Sequence, residues 1–120
     1  MTAGIVTARL EAVVRLRFRG PNAAESVVDG IVDTGFTGYL TIPISTAASL
    51  GLNQFSVSQA RLADGSTCSF SVYTAELEWE GQFRTVLVSA MGDECLIGMR
   101  FMSGLDLRIQ VRDGGAVEIG

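Results

Sequence analysis

Histidine is absent from this chain of 120 residues, and cysteine and proline number two each. Without an imidazole, neither a Ser-His-Asp nor a Cys-His arrangement is possible. Cys68 and Cys95 have no C-x-x-C spacing and no histidine to join, which argues against a zinc site. They read instead as small buried hydrophobes in a reducing compartment. Clustered positive charge is also missing. The net charge is −4 and the sequence pI about 4.6, with no basic stripe, so a nucleic-acid surface is not expected. No apolar run approaches the roughly 20 residues that span a bilayer. The opening "MTAGIVTARLEAVV" lacks a positive segment followed by an uninterrupted apolar core. These absences lead us to expect a cytoplasmic protein that engages neither membrane nor nucleic acid.

What is present is an ordinary globular composition, 48% apolar and 18% charged. The length is that of one domain, taken here as residues 1–120. It is small for an enzyme whose cleft lies between two lobes.

Along the chain, residues 14–18 alternate as Val-Arg-Leu-Arg-Phe and predict a half-buried strand. "RGPNAAES" reads as a turn, and the apolar positions Val27, Val28, Ile31 and Val32 predict a second strand ending at Asp33. "YLTIP" is short and β-rich. "ISTAASLGL" is a helix candidate, with Ser45 as N-cap and Gly51 as stop. Two β-prone runs flank Asp64-Gly65, a pair that favours a type I′ hairpin turn. "FRTVLVS", the loop "AMGDE" and "CLIG" follow, then "MRFMSG" as a second short helix closed by Gly104. A last hairpin turns about Asp113-Gly114-Gly115. The expectation is an all-β domain with one or two short helices.

One residue stands out against this background. Asp33 directly follows the apolar pair Ile31-Val32 and precedes Thr34-Gly35, where a strand gives way to a turn. A carboxylate among apolar neighbours loses solvation, so it is either capping something or poised for chemistry. The plainer use is an Asx turn at a strand end. The tripeptide alone decides little, since about one chain of this length in forty contains D-T-G by chance. Its context decides more: an apolar strand before it, then a strand, a long Asp-Gly hairpin and the apolar-apolar-Gly element Leu96-Ile97-Gly98 in order.

That ordered set resembles the retropepsin-like aspartic proteases, the single-domain relatives of pepsin found in retroviruses and bacteria, over about residues 11–109. The resemblance implies a closed, barrel-like acid-protease fold. It also implies that Asp33 is the catalytic aspartate, Thr34 the residue that locks two such loops together, and Gly35 the tight turn between them. Residues 62–70 fall where the family's flap lies, with Ala63, Asp64, Gly65 and Ser66 at the tip. Phe36, Thr37, Leu62, Met91 and Leu96 join the flap tip as substrate-contact candidates by position. Viral members commonly carry an acid at the position of Thr37 and an arginine at that of Met99, as a paired lock. Both are replaced here, and the terminal hairpin runs past the usual viral end.

Peptide hydrolysis without metal or cofactor needs a base to activate water and an acid to protonate the carbonyl oxygen and then the amine. Two carboxyl groups about 3 Å apart share one proton and fill both roles. With only one D-T-G in the chain, the second carboxylate would come from another copy across a two-fold axis, which explains the small size. The expectation is therefore a homodimeric aspartic endopeptidase acting on an extended peptide or protein. The alternative is a retropepsin-fold module that binds peptides or dimerises with little turnover.

Overall fold

The computed structural model describes residues 1–120. Ten strands and one short helix follow one another: β1 (Thr2–Val6), β2 (Ala12–Arg19), β3 (Glu25–Val32), β4 (Thr41–Ile42), α1 (Ile44–Leu50), β5 (Asn53–Arg61), β6 (Thr67–Trp79), β7 (Gln82–Ala90), β8 (Cys95–Ile97), β9 (Leu107–Ile109) and β10 (Ala116–Ile119). The all-β expectation holds.

Strand β2 shows why the chain folds this way. Its even-numbered residues Ala12, Val14, Leu16 and Phe18 are buried, while Arg15 and Arg17 point outward. Phe18 is fully buried, and burying a side chain of that kind contributes about 1.5–3 kcal/mol. On the outer face, Arg15, Arg17 and Arg19 reach Asp29, Glu25, Glu78 and Glu76 on the neighbouring strands at 2.7–3.8 Å. Such exposed pairs add only about 0.2–1 kcal/mol each, so inward packing sets the register and the ion pairs trim it.

The hairpin β2–β3 pairs from Arg19↔Glu25 to Val13↔Ile31 and delivers the chain to Asp33. Strand β8 lies parallel to the end of β3, with Val32 opposite Ile97. Strand β6 is long enough to pair β5 through its first half, β7 through its second, and β2 at Leu77 and Glu76. Strand β4 runs parallel to the end of β7. A single bridge, Leu40 to Ile97, joins the β4 side to β8 and returns the circuit to β2. The enclosure is thus barrel-like, sealed at that seam by one bridge rather than a ladder. Inside sit Leu16, Phe18, Leu40, Ile42, Leu77, Val88, Ile97 and Ile119, all 1% exposed or less.

Three expectations need correction, and one strand has no counterpart in the sequence pattern. Strand β1 was not predicted; it forms because β2 and β10 take its backbone on both sides. Helix α1 is capped by Pro43 (φ −58°), without a side-chain cap, and Ser45 lies inside the first turn; Gly51 does close it in the left-handed conformation (φ 61°). The turn about Asp64-Gly65 is not type I′. Leu62 N–H donates to Ser66 O and Gly65 N–H to Leu62 O, and only Gly65 has positive φ (86°), which makes it a three-residue loop. Finally, residues 99–104 are successive turns, not a helix. Gly104 (φ 85°) reverses the chain before a helical ladder repays its nucleation.

Candidate active site

The loop after β3 is held from below by the segment after β8. Asp33 N–H donates to Ile97 O at 3.0 Å, continuing the parallel ladder. Gly98 N–H donates to Tyr39 O (2.8 Å), Met99 N–H to Phe36 O (2.8 Å) and Arg100 N–H to Gly38 O (3.1 Å). Three consecutive amides thereby clamp residues 36–39. The approach is so close that a Cβ on Gly98 would overlap Gly38 O and come within 2.7 Å of the Phe36 ring. Glycine is needed there by contact. The apolar-apolar-Gly element thus packs directly against the loop that follows the D-T-G tripeptide.

Asp33 itself is half-buried, with Thr34 and Gly35 exposed beside it. Gly35 N–H donates to Asp33 Oδ1 at 3.0 Å, and Phe36 N–H donates to Asp33 O at 3.1 Å. This is the Asx-turn geometry of the plainer reading. It fixes one carboxylate oxygen and with it the plane of the group, and leaves the other oxygen without a protein donor.

Beside this loop runs a groove of about 290 Å³, lined by Phe36, Gly38, Tyr39, Phe55, Ser56, Ser58, Phe70, Val72, Leu87, Ser89 and Met91. Its walls come from the loop after β3, the β5–β6 hairpin and the end of β7. Of the substrate-contact candidates, Phe36 and Met91 line it. Thr37 is exposed at the loop, and Leu62, Ala63, Asp64, Gly65 and Ser66 project as the exposed hairpin tip beyond it. Leu96 is half-buried opposite Ile31 and is not among the lining residues. The apolar groove residues missed from sequence are Tyr39, Phe55, Phe70, Val72 and Leu87. A register shift between Gln54 and Ser56 puts Phe55 and Ser56 side by side on it, and no local pattern announces a bulge.

The hairpin tip carries its own order. Asp64 Oδ1 accepts from both the hydroxyl and the amide of Ser66, and these two bonds, the hydroxyl first, hold its carboxyl below the ordinary 3.8. Cys95 is buried in the core, and desolvation pushes its thiol up to about 12, while Cys68 on β6 is half-buried.

No protein-family model matches the chain, and no curated protein matches its sequence. Its architecture is that of a retropepsin-like aspartic protease fold. Among solved structures it is similar to a retropepsin-like aspartic protease from Rickettsia conorii, with a TM-score of 0.61 and 15% identity over 98% of this chain and 90% of that one. No helix is long and apolar enough to cross a membrane.

Proposed function

We propose that the protein is an aspartic endopeptidase whose active site is completed by a second copy, Asp33 of each chain supplying one carboxyl. The observation that carries this reading is half-buried Asp33, its carboxylate held by Gly35 N–H and its backbone amide donating to Ile97 O, on a loop whose Phe36, Gly38 and Tyr39, though not Asp33 itself, line an apolar groove. The fold likeness to a retropepsin-like protease supports it.

In the paired site, one carboxylate takes a proton from water as the oxygen attacks the peptide carbonyl, and the partner carboxylic acid protonates the carbonyl oxygen. The resulting diol collapses with proton transfer to the amine nitrogen, and the C–N bond breaks. The dyad ends as it began, sharing one proton. Thr34, exposed next to Asp33, offers its hydroxyl across the axis. The groove takes apolar side chains of an extended peptide, and the hairpin β5–β6 covers it.

The test is cleavage of a denatured protein between about pH 4 and 7, with a bell-shaped rate profile expected from a shared proton. Asp33→Asn should keep the fold, read by circular dichroism, and abolish cleavage. Wild type mixed with a large excess of that variant, after subunit exchange, should lose nearly all activity per wild-type chain, because mixed pairs carry one carboxylate and one amide. Activity proportional to wild-type chains at every ratio would exclude a shared site. Peptide binding without any cleavage would favour the module reading.

A further inference from the structure

A second groove, of about 420 Å³, is lined by Tyr39, Arg84, Thr85, Val86, Leu87 and Phe101. Tyr39 and Leu87 also line the first groove, so the two adjoin at a shared wall. The second follows the stretch of β7 that faces no other strand on its outer side, since β4 pairs β7 only at Ser89 and Ala90. An extended chain leaving the first groove therefore meets a free sheet edge with an apolar floor.

The charge at this place is one-sided. Arg84 lies 5.0 Å from the centre of the Phe101 ring and 5.8 Å from that of Trp79, and Arg100 lies 5.8 Å from the centre of the Tyr39 ring. Neither arginine takes part in an ion pair, although those of β2 are all matched to carboxylates. Stacking on aromatic rings holds a guanidinium in place while leaving its donors free. Arg84 thus lines the groove, and Arg100, outside its lining, lies over the ring of Tyr39, which does line it; unpaired guanidinium groups so placed suit a carboxylate.

We propose that this groove is an acidic subsite: it takes an Asp or Glu side chain of the extended substrate, distal to the residues held in the first groove, on Arg84 of its wall with Arg100 nearby over the Tyr39 ring. The proposal rests on the peptidase reading for the identity of the ligand as substrate. It gives the site a preference for acidic flanks that an apolar groove alone lacks.

The probe is a set of fluorescein-labelled dodecapeptides with a central Leu-Phe pair and a single Glu, Gln or Lys moved through the other positions. Binding is read by anisotropy on the Asp33→Asn protein, so no turnover is needed. At one or two positions the Glu peptide should bind about threefold more tightly than its Gln twin at low salt, and the margin should shrink at about 0.5 M salt. Arg84→Gln with Arg100→Gln should erase the difference, and Arg84→Glu with Arg100→Glu should transfer the preference to Lys. Equal binding of Glu and Gln peptides at every position, a preference that survives the double substitution, or no peptide binding at all would overturn the subsite. Salt dependence measured without substituting either arginine keeps the test decisive should the variants misfold. Cleavage of the same peptides by the unaltered protein is scored separately: cleavage without charge preference sinks the subsite alone, and charge preference without cleavage sinks the peptidase reading alone.

Discussion

A single hydrogen atom at Gly98 decides whether the loop bearing Asp33 can sit on its support. A methyl group there would collide with backbone at Gly38 and with the Phe36 ring, and backbone cannot swing aside as a side-chain tip can. Gly98→Ala should therefore cost about 1–3 kcal/mol, the range for overpacking a well-filled site, and lower the melting temperature measurably. Activity should fall further than stability, since the residue displaced carries one wall of the groove. The two cysteines offer a contrast at the same scale. With its thiol pushed up to about 12 in the core, Cys95 should resist a brief alkylation of the native protein that modifies half-buried Cys68, as peptide mass spectrometry would show. Labelling of both at equal rates would mean that the core opens readily.

At the scale of elements, the β5–β6 hairpin is where conformation and proton chemistry meet. Gly65 sits at φ 86° with nothing near its missing Cβ, so the obstacle to substitution is backbone strain alone. Gly65→Val should reduce turnover more than it reduces the melting temperature if the tip must close over a substrate. The tip also responds to acid. Because hydrogen bonds from Ser66 depress the carboxyl of Asp64, the order they confer is present in full above the ordinary 3.8 and is lost as pH falls below it. Protection of the Ser66 amide, taken relative to the intrinsic exchange rate at each pH, should fall through that window, and Asp64→Ala should remove it at every pH. Several elements were legible from residues alone: the alternation at 14–18, the stop at Gly51 and the hairpin around Asp64-Gly65. Others were not, for nonlocal reasons. "TAGIV" becomes β1 only because β2 and β10 flank it, and of its residues only Val6 is buried, so no pattern marks it. The amides of Met99 and Arg100 are drawn to carbonyls 62 or 63 positions earlier in the chain, at Gly38 and Phe36, which local helix signals do not register. Of the groove, Phe36 and Met91 were legible, whereas Phe55 and Leu87 depend on a bulge and on a strand edge.

Across the whole molecule, β1 and β10 pair with each other from Thr2↔Ile119 to Ile5↔Ala116, and β9 and β2 flank them. Asp106 and Gly120 exchange reciprocal backbone hydrogen bonds at 3.0 Å, and the N-terminal ammonium lies 2.7 Å from Glu80. Both terminal strands thus find their partners within their own chain. A fold that borrows no strand can be complete before it meets another copy, which separates folding from pairing. Melting temperature should then be independent of protein concentration in the range where chains are single. If two chains share one catalytic site, the rate of substrate cleavage in that range should rise as the square of the protein concentration and become linear only above the pairing constant. Such a protein would behave in a cell as a threshold device, silent while scarce and switched on by its own accumulation.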